Sequence, residues 1–185
     1  MSKHLRKTCR FAAFMLAGAL MLTVACRGKH SRTTVENEEP VEGGPRLASA
    51  MKMNDPAAAQ QLVKGFSGVE SGTWRWTAKN FSAVLRPPLA SAQRGAVLTF
   101  SISIPDVVIQ KLSSVTLSAS SGTTKLKSET YSKPGSYTFS ADVPPDLLIK
   151  DAITIDFALD KAIPPSAADS RELGIIALAI GLESK

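Results

Sequence analysis

From Phe66 onward the chain consists of short apolar runs in which hydrophobic and polar positions alternate. Phe100, Ile102 and Ile104 fall on one side of an extended segment, with Thr99, Ser101 and Ser103 on the other. Ile153, Ile155 and Phe157 alternate in the same way with Thr154, Asp156 and Ala158. A period of two turns one face of a strand to a core and the other to water. The pattern predicts strands over residues 73–77, 81–86, 96–104, 115–120, 123–128, 136–143, 152–159 and 174–182. Ser121-Gly122 predicts a tight hairpin turn, and Lys133-Pro134-Gly135 a type II turn, with Pro and Gly where that geometry needs them. Short strands with frequent turns predict an all-β domain over residues 66–185, a two-sheet antiparallel β-sandwich of jelly-roll-like form. Its length of about 120 residues is enough for one core.

A weak internal repeat runs through this region, with chance similarity of two generic β-arches as the other reading. Thr99-Phe100-Ser101, Ile104-Pro105-Asp106 and Val107-Val108-Ile109 are echoed 39 residues later by Thr138-Phe139-Ser140, Val143-Pro144-Pro145-Asp146 and Leu147-Leu148-Ile149. Each unit reads as a strand, a Pro-Asp turn, one apolar helical turn and a second strand. Two such arches can carry the chain from one sheet to the other and plug the ends of a sandwich.

Upstream the pattern changes twice. Asp55-Pro56-Ala57-Ala58-Ala59-Gln60-Gln61-Leu62-Val63-Lys64-Gly65 carries helix grammar: a capping Asp, a first-turn Pro, a last-turn Lys and a closing Gly. It predicts a short N-terminal helix within residues 54–65, marginal by itself. Residues 26–53 are polar, as in Thr33-Thr34-Val35-Glu36-Asn37-Glu38-Glu39-Pro40, and cannot bury enough apolar surface to fold alone. They predict a disordered tether. From Cys26 to Gly65 such a chain spans on the order of 35 Å.

Residues 1–25 read as an export signal. Lys3, Arg6, Lys7 and Arg10 precede an apolar run from Phe11 to Cys26 with no acidic residue. As a helix that run spans roughly 22 Å, short of the ~30 Å hydrocarbon layer, which favours a cleaved signal over a permanent span. Its end, Leu22-Thr23-Val24-Ala25-Cys26, resembles the lipobox of bacterial lipoproteins. The resemblance implies lipidation of the Cys26 sulfur and cleavage after Ala25, with acyl chains contributing roughly 0.8 kcal/mol per buried methylene. Thr23 departs from the usual leucine, which here stands one place early at Leu22. An ordinary cleaved signal, an uncleaved anchor and a free thiol at Cys26 are the other readings. Arg27, in place of the aspartate of inner-membrane retention signals, directs the expectation to the outer membrane of the cell envelope.

Removal of the signal alters the composition. It takes four of the 22 Lys and Arg and leaves 18 against 16 Asp and Glu, a net charge of +2 instead of +6. The basic character is therefore partly that of the signal and predicts no nucleic-acid partner. Cys9 leaves and Cys26 carries lipid, so neither a disulfide framework nor a thiolate metal site follows. His4 belongs to the signal and His30 to the tether, so the folded region has no histidine. A Ser-His-Asp or Cys-His arrangement lacks its base, a zinc site lacks ligands, and there is no P-loop. The chain predicts no metal, no cofactor and no enzyme. A two-carboxylate glycosidase is the remaining catalytic alternative, because several acidic side chains are free to pair in space.

Two segments are richest in side chains able to recognise a ligand. Gly65-Phe66-Ser67-Gly68-Val69-Glu70-Ser71-Gly72-Thr73-Trp74-Arg75-Trp76-Thr77 holds both tryptophans, two apart and so on one face of a strand, with Arg75 on the other. Exposed, the pair is a stacking platform for sugar rings; buried, it is core; at a partner's surface, it is an interface. Asp169-Ser170-Arg171-Glu172-Leu173-Gly174-Ile175-Ile176 opens the last apolar strand. Glu70, Arg75, Arg171 and Glu172 are either a polar ligand-binding corner or an ion-pair network tying the first strand to the last. The candidate ligand or interface residues are Glu70, Trp74, Arg75, Trp76, Asp169, Arg171 and Glu172.

The Glu…Trp-Arg-Trp-Thr opening and the Asp-x-Arg-Glu-Leu-Gly-Ile exit resemble a small β-sandwich module of bacterial surface proteins, some copies of which accompany polysaccharide-handling or glycosyltransferase proteins. The resemblance covers residues 65–183 and implies a jelly-roll-like fold in a glycan setting. Together these readings lead to an exported, membrane-anchored lipoprotein that acts as a non-catalytic binding module for a surface glycan or an envelope protein. A structural assembly lipoprotein without a small ligand is the alternative.

Overall fold

Nine strands pack as two antiparallel sheets in a computed structural model that describes residues 46–185. The predicted signal, Cys26 and most of the tether lie outside the described residues. The strands are β1 (Ala50–Lys52), β2 (Leu62–Phe66), β3 (Arg75–Leu85), β4 (Ala96–Ile104), β5 (Val115–Ser121), β6 (Thr124–Tyr131), β7 (Gly135–Val143), β8 (Ile153–Leu159) and β9 (Ile176–Ser184). In the front sheet the order is β1–β9–β4–β7. In the back sheet it is β2–β3–β8–β5–β6. Four front strands facing β3–β8–β5–β6 form a jelly roll. β3 belongs to both sheets: Arg75 and Trp76 pair with β9, and Asn80 to Leu85 pair with β8.

The alternation seen in the sequence decides which side chains are inside. In β4, Ala96, Leu98, Phe100, Ile102 and Ile104 are buried while the residues between them face outward. Phe81 and Phe157 from the back sheet stack at 5.0 Å, and Phe100 and Phe139 from the front sheet close on Phe157 at 4.9 and 6.5 Å. These four rings, all fully buried or nearly so, join the two layers at the centre. The core of the described residues lies in one compact unit, Glu42–Lys185.

The two arches of the repeat cross between sheets at opposite ends. Helix α2 (Asp106–Leu112; α1 is Ser91–Arg94, ahead of β4) follows β4 and leads to β5, with Val108 buried under it. A 3₁₀ turn, Pro145–Leu147, follows β7 and leads to β8, with Leu148 buried. Because Ile104 pairs with Gly135 and Ala96 with Val143, these crossings cap different ends of the sandwich. One end also holds Trp74 and the segment between β8 and β9. The other holds the loop from β3 to β4, the β5–β6 turn and the start of the described chain.

Several local expectations change. The tether does not reach Met53: Ala50–Lys52 pair with β9, and Met51 and Met53 are buried. The helix of residues 54–65 shortens to a 3₁₀ turn, Pro56–Gln60, capped by the Asp55 carboxylate on Ala57 N at 2.8 Å, and Leu62–Phe66 is a strand. Gln61 explains the break. Its side-chain amide, almost fully buried, accepts from Ala48 N at 2.8 Å and donates to Ala48 O and Val84 O at 3.0 and 2.7 Å. It thus ties the start of the described chain to the end of the β2–β3 ladder, where Val84 N also donates to Gln61 O at 2.8 Å. The 73–77 and 81–86 segments form one strand, because Ala78-Lys79-Asn80 is where β3 passes from one sheet to the other. Lys133-Pro134-Gly135 is a bend between β6 and β7 that crosses between sheets, not the predicted type II turn: Gly135 has φ 148°, far from the roughly +80° that turn needs. Gly65 has φ +75°, and an added Cβ there would run into the Asn80 carbonyl, so the irregular β2–β3 pairing depends on it.

Candidate functional site

At the Trp74 end, the short spacing Asp169-x-Arg171 brings the two side chains together. The Arg171 guanidinium donates from Nε to Asp169 Oδ1 at 3.0 Å and from Nη2 to Oδ2 at 2.8 Å, and its Nη1 donates to Glu70 Oε1 at 2.5 Å. Arg171 N also donates to Asp169 Oδ1 at 2.9 Å. The Arg171 hydrogen bonds hold the Asp169 carboxyl down at about 2. Asp169 and Glu70 in turn push the guanidinium up from its ordinary value. Glu70 and Arg171 are 101 positions apart, so this network joins the approach to β3 to the approach to β9.

The remaining candidates go elsewhere. Arg75 does not meet a carboxylate: its Nε donates to Met53 O and its Nη1 to Ser67 O, both at 2.8 Å. Glu172 accepts from Lys79 N at 2.8 Å, which secures β3 at its change of sheet. Trp76 is buried, and Trp74 is half-buried against it, edge-to-face at 6.1 Å and 83°. The rings therefore pack mainly on each other and on the core, and only Trp74 retains an accessible edge. The structure joins Glu70, Asp169 and Arg171, keeps Trp74 with Trp76, and gives Arg75 and Glu172 backbone partners of their own.

Gly174 makes this junction close. A Cβ there would stand 2.7 Å from Thr77 Oγ1, 2.9 Å from Ala78 O and 2.5 Å from a Leu159 methyl. In the space left free, Gly174 N donates to Thr77 O at 2.6 Å, and buried Thr77 Oγ1 accepts from Ile175 N at 3.1 Å.

A second location, which sequence reasoning did not find, lies on the outer face of the front sheet. A shallow groove of about 480 Å³ crosses β1, β9 and β4. Ala50, Ala179 and Gly181 form its low floor, Thr99 and Ser101 offer hydroxyls along one side, and Lys52, Asp55 and Glu183 also line it. The floor is low because the side chains of the central strands there are small. Runs of Ala, Gly, Ser and Thr give no motif, and β1 was read as tether, so the groove had no signal beyond the outward Thr99 and Ser101. Among the described residues no group of three or more His, Cys, Asp or Glu is placed to hold a metal ion, and no helix is long and apolar enough to cross a membrane.

No protein-family model matches the chain, and no curated protein matches it in sequence. Among solved structures, the chain is similar to the CBM36-1 domain of a multidomain xylanase from the hindgut metagenome of Trinervitermes trinervoides. The identity is 13%, the match covers 71% of this chain and 94% of that one, and the TM-score is 0.35. A structure described as "CBM4 structure and function" matches at 12% identity over 78% of this chain and 90% of its own, with a TM-score of 0.34. CBM51-2 with INT domains from Clostridium perfringens ZmpB, solved in complex with GlcNAc, matches at 13% identity over 73% of this chain and 28% of its own, again at 0.34. Likenesses this distant are no guide to ligand or site, which rest on the residues of this chain.

Proposed function

We propose that the chain is an exported cell-envelope lipoprotein, held by lipid on Cys26, whose sandwich is a non-catalytic module that binds a surface glycan along the front-sheet groove. The groove is the observation that carries this reading. Its volume falls in the usual range for small-ligand sites. Its hydroxyls and charged rim can pair with sugar hydroxyls, and its Ala and Gly floor lets an extended chain lie flat. The Glu70–Asp169–Arg171 network and the tryptophan pair act as a clamp at one end of the fold, with the edge of Trp74 as a secondary contact.

Many of the described carboxylates serve the fold. Asp55 caps a turn, Glu70 and Asp169 hold Arg171, Asp160 accepts from Thr116 N, Glu172 accepts from Lys79 N, and Asp142 and Glu129 pair with Lys185 and Lys127. A glycosidase needs two carboxyl groups free to face one bond. The side chains just named have partners in the fold, which leaves Asp106, Asp146, Asp151, Asp156 and Glu183 as the described carboxylates on which the glycosidase alternative would have to draw.

Glycan-array binding of residues 27–185 tests the ligand. Ser101→Trp, which fills the groove from an outward position, should abolish the signal without lowering Tm. Silence on the array, together with a stoichiometric envelope protein in a pulldown, would replace this reading with the assembly role. Labelled palmitate on the full chain, lost in Cys26→Ser, tests the anchor.

A further inference from the structure

The end of the sandwich opposite Trp74 presents apolar side chains to solvent. Leu89 is 84% exposed and Ile149 72%, the two highest values among the large hydrophobic residues described. They belong to different loops, yet both border one hollow of about 440 Å³ that Pro87 and Pro88 also line. Leu89 is held in this position. Two prolines precede it, Ala90 behind it takes a left-handed φ of 63°, and buried Ser91 donates from Oγ to Pro88 O at 2.7 Å. A turn fixed on both sides by such constraints is built to keep its leucine out of the core.

The same end is where the described chain begins. Arg86 N donates to Ala48 O at 3.1 Å, and Arg86 lines the hollow. The described chain therefore starts close to the Arg86–Leu89 loop. Between Cys26 and Arg46 the chain has 20 steps, which reach at most about 70 Å. On the lipid-anchored reading, the domain stays within that distance of the lipid and is tethered from the end that carries the two apolar tips.

We infer that this end is a membrane-docking face: Leu89 and Ile149 dip into the lipid surface while the Pro87–Pro88 loop lies on it. The inference rests on the lipid-anchored reading for its orientation and on the loop geometry for its chemistry. The charged groups around the hollow are mixed, Arg86 and Lys150 against Asp151. Contact therefore depends chiefly on apolar insertion, with the two cations placed at headgroup level. Docked in this way, the module holds its front groove on a side wall of the sandwich, open to a ligand running along the membrane.

Residues 27–185, without lipid, test the face directly, since they contain the whole compact unit Glu42–Lys185. Sedimentation with phosphatidylcholine vesicles, and with vesicles containing one quarter phosphatidylglycerol, should retain the protein, somewhat more on the second. Leu89→Ser with Ile149→Ser should reduce retention roughly tenfold at unchanged Tm. Val63→Ser, at an exposed valine on β2, should leave it unchanged. Absence of wild-type retention, or equal retention of the double variant, overturns the inference, as does loss of a pulled-down envelope protein in a double variant whose parent never binds vesicles. Palmitate labelling of the full chain is read separately. Unlabelled chain with intact vesicle binding removes the anchor and leaves the docking face; labelled chain without vesicle binding does the reverse.

Discussion

The two ends of the sandwich treat their side chains in opposite ways. At the Trp74 end the polar and aromatic groups are turned inward on one another: Arg171 holds two carboxylates, Arg75 holds two carbonyls, and Trp74 covers Trp76. At the Leu89 end two large aliphatic side chains make no such packing and are held out by a stiff loop. A sequence motif rich in Trp, Arg and Glu draws attention as a recognition site, yet its groups are already engaged with one another. A leucine after two prolines draws none, yet it is the side chain left unspent. What distinguishes a surface available to a partner is which groups have no partner inside the molecule.

Changes at the first end should therefore cost stability, and changes at the second should not. Gly174→Ala has the largest expected effect. Its Cβ meets a backbone oxygen, a buried hydroxyl and a methyl group, and overpacking of this kind costs about 3 kcal/mol, a fall in Tm of roughly 10 °C. Arg75→Ala should cost about 2 kcal/mol through two lost charge-assisted hydrogen bonds, and Arg75→Lys should restore little because an ammonium lacks the fork; denaturant titration measures both. Asp169→Asn should have a smaller, salt-sensitive effect, because the pair stands at the surface. Its carboxyl is held at about 2, below the 3.8 of a free aspartate. Its contribution is thus present above about pH 4 and lost as pH falls towards 2. Tm curves of wild type and variant, separate at pH 6, should converge near pH 2. Leu89→Ser should shift Tm least of all, within the scatter of ordinary surface substitutions. A large loss there would mean that the tip packs after all, and would remove the contrast between the ends.

Much of the fold could be read from the alternation of residues. β4 spans the predicted 96–104 because all nine of its positions alternate without interruption. The two Pro-Asp arches cross between sheets because proline ends each strand and the apolar turn after it has a core to cover. The pattern was less informative where tertiary contacts replace local rules. Ala50–Lys52 is too short to show a period and is a strand only because β9 offers an edge. Lys79 and Asn80 look like a break, but the strand continues through them while it changes sheets. Gln61 looks like a helical residue and is a buried bridge. At the site, the ion-pair reading brought Glu70 to Arg171, but it also included Arg75 and Glu172, which bind backbone instead, and it left out Asp169. The groove was not legible, since the absence of large side chains leaves no mark in a motif.

β9, the last of the nine strands to be made, lies in the middle of the front sheet, between β4 on one side and β1 with the start of β3 on the other. Until it emerges, that layer has a gap at its centre, and its earlier strands have no neighbour to complete them. The body therefore cannot close during synthesis, whatever the intrinsic speed of its hairpins. This order of assembly is a delay in closing the front layer, and it would suit the export proposed above.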